Sequence, residues 1–184
     1  MTTTPLMRAD QSALLVIDLQ ERLLSHVHDW QQVLEHTDWL VRVAQKLGVP
    51  VAATEQYPQG LGRTHSQVAE RLPAGATGEK LHFSCVAGNC LPGLPGMDRP
   101  QVVVCGIEAH VCVLQTVLEL AAQGKQVFVV AEAVGSRDPA HKALALERMR
   151  AHGATIVCRE MVAFEWLDQA GTEQFRDISK NFLR

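Results

Sequence analysis

The 184-residue chain has no apolar run approaching the ~20 residues that a membrane-spanning helix needs. Its first ten residues, Met-Thr-Thr-Thr-Pro-Leu-Met-Arg-Ala-Asp, are polar and lack the apolar core of a secretory signal, so a cytoplasmic protein without membrane contact is expected. The five cysteines are odd in number and fall in no framework spacing, which suits a reducing compartment. Lysine is scarce, at five residues. With 17 basic against 20 acidic side chains the formal charge is −3, and the basic residues are scattered, which excludes an electrostatic surface for nucleic acid. Repeats, linkers and low-complexity tracts are also missing, so residues 1–184 read as one domain, of a size that buries a substantial core.

Several chemical signatures are absent as well. Gly60-Leu-Gly62-Arg-Thr-His65 starts like a dinucleotide fingerprint but lacks the third glycine and follows the second strand rather than the first. No cysteine begins a Cys-x5-Arg phosphatase loop, and Ser136, in Val-Gly-Ser-Arg-Asp, forms no nucleophile elbow. Glu55 and His65 supply too few ligands for zinc, which takes three or four; His26 and His28 beside Asp29 read as a solvated helix entry. No metal and no cofactor is expected.

What the chain does contain is an alternation of strands and helices. Apolar runs at Ala13–Ile17, Pro50–Thr54, Gln101–Cys105, Gln126–Ala131 and Ala154–Val157 predict strands. Helical spacing links Trp30, Val33, Leu34, Leu40, Val41, Ala44 and Leu47, with Asp29 as N-cap and Gly48 as stop. Further helices are expected near Ser66–Leu72, over Val111–Gln123 up to Gly124, over Pro139–His152 with Asp138 as N-cap, and over Glu173–Leu183. The glycine- and proline-rich stretch from Pro73 to Pro100 reads as loops around one short strand within Lys80–Val86. Such an alternation predicts a three-layer α/β/α sandwich around a mostly parallel, Rossmann-like sheet.

Cys112 stands in Gly106-Ile-Glu-Ala-His-Val-Cys112-Val, at a strand–turn–helix junction. Unpaired N–H groups and the helix dipole converge on a first-turn sulfur, favouring the thiolate and offering donors to an oxyanion. The same residue could also be an apolar filler between helix and sheet. Asp18 ends the first strand, and in a parallel sheet it can share a rim with the Gly106 turn; a loop or capping role is its alternative. Lys80 follows Pro73-Ala-Gly-Ala-Thr-Gly78 and could equally be a solvated charge. Cys85, Cys90, Cys105 and Cys158 read as buried apolar residues, and His110, though two residues from Cys112, need not face it.

Together, Ile17-Asp18-Leu-Gln20, Lys80 and Gly106-Ile-Glu-Ala-His-Val-Cys112-Val resemble the isochorismatase-like cysteine hydrolases, which include nicotinamidases and carbamoylsarcosine amidases. Thr54-Glu-Gln-Tyr-Pro-Gln-Gly-Leu-Gly62 with Gly106–Thr116 is most similar to the isochorismatase domain-containing branch, and the resemblance runs from about Ala13 to Phe164. It implies Cys112 as nucleophile, Asp18 as its base and Lys80 as the cation bracing the pair. It also implies a cis Ile107–Glu108 peptide and an oxyanion hole from the N–H groups of Glu108 and Cys112. Nicotinamidases carry an Asp-x-His metal pair where this chain has Glu55-Gln56-Tyr57, and true isochorismatases lack the cysteine. Neither substrate class is therefore expected.

The expected activity is hydrolysis of a small non-peptide C–N bond through an acyl-enzyme, in a pocket walled by Leu19, Gln20, Tyr57, His82, Phe83 and Phe164. Alternatives are a non-catalytic ligand-binding protein on the same fold, an isochorismatase-type ether hydrolase, or a thiol sensor pairing Cys112 with Cys105. A homo-oligomer is expected, because Val113, Leu114, Val117, Leu118, Leu120 and Ala121 cover more of their helix than one sheet face can bury. The apolar segment Met161–Leu167 adds a second candidate surface.

Overall fold

The computed structural model describes residues 6–183. In chain order the elements are β1 (Ser12–Ile17), α1 (Glu21–Leu24), α2 (Trp30–Lys46), β2 (Val51–Gln56), α3 (Pro58–Leu61), α4 (Ser66–Ala69), β3 (Thr77–Lys80) and β4 (Gln101–Ile107). A π-helical turn (Ala109–Val113) then leads into α5 (Leu114–Ala122), followed by β5 (Gln126–Gly135), α6 (Pro139–Ala151), β6 (Thr155–Val157), α7 (Arg159–Leu167) and α8 (Glu173–Phe182). The six strands form one parallel sheet in the order β3-β2-β1-β4-β5-β6.

Alternate strand residues feed two cores, as period-2 geometry requires. Leu14, Val16, Ala53, Val103, Cys105 and Phe128 pack under α2, α7 and α8. Ala13, Leu15, Ile17, Val102, Val104 and Val129 pack under α5 and α6. Both faces are covered, which is why β1, β2 and β4 are buried at every position and why β1 and β4 read as near-continuous apolar runs rather than alternating ones.

Several local expectations need correction. Lys80 closes β3 instead of preceding a strand: it pairs in register with Gln56, and the chain after it turns outward. β5 runs on to Gly135 because a register shift against β4, between Val104 and Gly106, absorbs extra residues. Asp29 occupies the N-cap position of α2 with φ 51° and makes no side-chain cap bond; its carboxylate meets His28 at 3.1 Å instead. Asp138 does cap α6, accepting from the Ala140 N–H at 2.8 Å. Met161–Leu167, expected as an apolar surface, lies in helix α7, which buries Val162, Ala163, Trp166 and Leu167 and leaves Met161 and Phe164 half exposed. Likewise Val113, Leu114, Val117 and Leu120 are buried within the monomer, because the segment after β3 packs over α5 and supplies Cys85, Leu91 and Met97 to the same core. Of the residues expected at an interface on that helix, Leu118 and Ala121 alone stay partly exposed.

Candidate active site

The strand order reverses between β1 and β4, and at such a switch point the two flanking loops diverge and open a crevice at the carboxyl ends. Asp18 follows the last residue of β1, and its N–H still bonds to the Thr54 carbonyl at 3.1 Å, so it is anchored as an extension of the sheet. Opposite, Gly106 pairs with Ile17 at φ 120°, and a Cβ there would come within 2.1 Å of the Ile17 carbonyl oxygen. Only glycine permits that approach. The strands are thereby held close just where Asp18 and the chain leading to Cys112 emerge.

Lys80 reaches the same point from β3. Its Nζ lies 2.7 Å from Asp18 Oδ2, and neither side chain is exposed. Two buried opposite charges survive only with good geometry and further hydrogen bonds, and both are present. Gln56 Oε1 accepts from Lys80 Nζ at 2.6 Å, and Thr54 Oγ1 donates to Asp18 Oδ1 at 2.9 Å. Gln56 is itself pinned: its side-chain Nε2 donates to the Leu81 carbonyl, and its N–H donates to Gln20 Oε1 at 2.7 Å. Gln20 Nε2 in turn donates to the carbonyls of Gln56 and Gly62. Behind Thr54, the Cys85 thiol donates to its hydroxyl at 3.6 Å.

Thr54, Gln56 and Cys85 were not singled out from sequence as site residues. A usable signal existed for two of them. Thr54-Glu-Gln56 is a polar triplet at the carboxyl end of a strand that is buried throughout, and buried polar groups there must have partners.

Cys112 lies in the π-helical turn, where the Val113 N–H bonds back to the Glu108 carbonyl at 3.2 Å. Wide turns of this kind are frequent at functional sites. The Ile107–Glu108 peptide is cis. The Glu108 carboxylate is clamped by Arg137, which donates from Nη2 at 2.6 Å, from Nε at 3.1 Å and from its backbone N–H at 3.0 Å. Burial alone would raise the Glu108 carboxyl pKa, but these bonds outweigh it and hold the pKa below the usual range. His110 turns away from the sulfur: its Nδ1 is 2.9 Å from Ser136 Oγ and its ring packs on His141.

The electrostatics revise the expectation of an acidic Cys112. Burial pushes the Cys112 thiol pKa up, the neighbouring Asp18 pushes it further, and Lys80 only partly compensates. Asp18 neutralises the lysine that would otherwise stabilise a thiolate, so the resting sulfur is protonated beside a carboxylate. Lys80 stays firmly charged: burial pulls its pKa down, but its acidic neighbours, Asp18 foremost, more than reverse that. Cys105 cannot partner Cys112, because it packs in the core on the other face of the sheet, its thiol pushed up to about 12 by burial.

The expected pocket walls separate into two groups. Tyr57 and His82 line a cavity of about 510 Å³ that Lys80 also borders, and Phe83 is exposed on the adjoining loop. Leu19 is fully buried in the core beneath α2, and Gln20 is fully buried as the brace of Gln56, so both act from within the structure. Phe164 sits half exposed on α7, which packs into the core opposite the one that holds Cys112. These three are corrected from pocket wall to framework or outer surface. Glu55 is engaged by the Thr64 N–H and hydroxyl and by Arg63, and His65 accepts from the Gln67 N–H at the start of α4. Among the described residues no group of three or more His, Cys, Asp or Glu is placed to hold a metal ion.

A family model described as the isochorismatase domain matches residues 12–161. The secreted isochorismatase effector Isc1 of Phytophthora sojae is 38% identical over 176 residues, covering 92% of this chain and 83% of the relative. Human isochorismatase domain-containing protein 2 is 35% identical over 177 residues, with 92% and 82% covered. Among solved structures, the MAR1 ribonuclease of Caenorhabditis elegans superposes with a TM-score of 0.86 at 31% identity, covering 97% of this chain and 92% of that one.

Proposed function

The chain belongs to the isochorismatase family and has its hydrolase fold, and we propose that within it the protein is a cysteine-dependent hydrolase of a small, non-peptide amide-type C–N bond. The observation that carries this reading is the wholly buried Asp18–Lys80 pair at the sheet's switch point, with Cys112 on the π-helical turn that follows β4. A fold would gain little from burying that pair for stability alone, since such pairs are often no better than apolar packing.

In the proposed cycle Asp18 takes the Cys112 proton as the sulfur attacks the substrate carbonyl. The N–H groups of Glu108 and Cys112 receive the oxyanion. Collapse breaks the C–N bond, Asp18 returns the proton to the departing nitrogen, and a thioester remains. Water, deprotonated by Asp18, attacks the thioester; the acid leaves and Cys112 regains its proton. Lys80 keeps the carboxylate in place while its charge alternates, and Gln56 occupies a second lysine donor so that the third is left for the sulfur. Tyr57, His82 and Phe83 would contact the substrate.

We also propose a homo-oligomer, for which Met161 and Phe164 on α7 are exposed apolar candidates. Three solved neighbours bear the name ribonuclease, but the 17 basic side chains of this chain are scattered among 20 acidic ones and offer phosphates no basic run, and RNA cleavage is not the reading we adopt.

The test is an ammonia-release screen over a panel of small amides, run beside Cys112→Ala. Turnover that requires Cys112 supports the reading. Hydrolysis that persists undiminished in the variant would overturn it.

A further inference from the structure

We propose that Cys85 and Cys90 form a redox-active dithiol behind the active site, which a hydroperoxide converts reversibly to a disulfide. The structure brings together two residues that the sequence offers only as separate apolar fillers. The Cys90 N–H bonds to the Cys85 carbonyl at 3.3 Å and the Cys90 thiol approaches the same oxygen at 3.5 Å, so the turn between them is tightly closed. The Cys90 sulfur is thus held within 3.5 Å of the main chain of Cys85. Each end of the turn is held independently. The Cys85 N–H is fixed by Thr116 Oγ1 on α5 at 3.0 Å. Cys90 lies so close to β3 that a Cβ on Gly78 would meet its carbonyl oxygen at 2.6 Å.

The two sulfurs have unequal roles. The proximity of Cys90 holds the Cys85 thiol below its ordinary range despite burial, and the Cys90 thiol is itself pushed up. Cys85 also borders a cavity of about 420 Å³ lined by Asn89, Leu91, Met97, Leu120 and Lys125, which admits a small oxidant. The Cys85 thiolate would attack the hydroperoxide O–O bond, giving a sulfenic acid and releasing the alcohol, or water from hydrogen peroxide. Partly exposed Cys90 would then attack that sulfur and expel water. Two thiols and one hydroperoxide thus yield one disulfide, one alcohol and one water.

The pair is wired to the site. Cys85 donates to Thr54, and Thr54 donates to Asp18. Sulfur bonded to Cys90 has no hydrogen left to donate, so oxidation removes the first link of the chain that orients Asp18 beside Cys112. The influence on Cys112 rests on the catalytic reading above; the dithiol itself does not.

The experiment treats the full chain with hydrogen peroxide, alkylates the remaining thiols and cleaves at methionine. Cleavage after Met97 separates Cys85 and Cys90 from Cys105 and Cys112. The fragment ending at Met97 should be lighter by two hydrogens and unalkylated, and dithiothreitol should restore both sites. In parallel, the rate at which iodoacetamide modifies Cys112 should change by about fivefold on oxidation, the worth of one neutral hydrogen bond. That change should be absent in Cys90→Ser. If the fragment retains both free thiols after peroxide treatment, the dithiol is overturned; if the disulfide forms and Cys112 reacts at an unchanged rate, the coupling is. Neither readout uses an amide substrate, so the dithiol stands or falls apart from the hydrolase reading.

Discussion

Lys80 Nζ sits 2.7 Å from Asp18 Oδ2 with both side chains wholly out of water. The pair joins the third strand to the first, and each charge depends on the other to remain buried. Replacing one member strands the other. Lys80→Met is therefore expected to lower the unfolding free energy by about 3–5 kcal/mol, the usual cost of orphaning a buried charge. The double variant Asp18→Asn, Lys80→Met should recover much of that stability while remaining inactive. Urea denaturation of the three proteins measures the coupling, and additive losses would contradict it.

Cys112 should be needed for chemistry and nearly dispensable for folding. Cys112→Ala removes one small sulfur from a packed position, a loss of about 1 kcal/mol. The same change should reduce amide turnover by about 10³-fold or more, as removal of a nucleophile does elsewhere. Thermal melts and ammonia release on the same preparations separate the two effects.

The pH dependence of Cys112 alkylation follows from the direction of its shift. Burial and Asp18 raise the thiol above its ordinary value of 9.0, so at neutral pH the thiolate fraction is small and the rate should still be climbing past pH 9. Lys80 works the other way, and Lys80→Met should move the curve to still higher pH. A rate already level by pH 7 would mean a preformed thiolate, contrary to the neutralising effect of Asp18.

Gly106→Ala should be among the most damaging single changes in the chain. A methyl group there meets the Ile17 carbonyl at 2.1 Å, and φ 120° strains any other residue. Neither backbone can withdraw without breaking the β1–β4 ladder. A loss of more than about 2 kcal/mol is expected, visible as a lowered melting temperature or poor soluble yield.

The oligomer proposal is checked by light scattering at micromolar concentration, where a multiple of the chain mass is expected. Phe164→Glu with Met161→Lys should shift it to the single-chain mass if α7 forms the contact. A single-chain mass for the unaltered protein would refute association.

Much of this was legible along the chain because it depends on neighbours in sequence. Continuous apolar runs marked strands covered on both faces, Asp138-Pro139 and Gly153 bracketed a helix, and Gly106 before Cys112 marked a strand-to-helix junction. From the order of those elements a parallel sheet followed, and with it the rim on which Asp18 and Cys112 could meet. Strand order is a different kind of fact. Placing β3 beside β2 puts Lys80 in register with Gln56 and sets its ammonium against Asp18. No local pattern encodes that register, because long-range pairing is chosen by the whole core. The same holds for burial direction. Leu19 and Gln20 neighbour Asp18 in sequence yet point inward, and Phe164 lies across the sheet. The acidity expected of Cys112 failed for a related reason: a helix terminus can be read from sequence, whereas the desolvation and the paired charge that outweigh it exist only once Asp18, Lys80 and the sulfur are packed together.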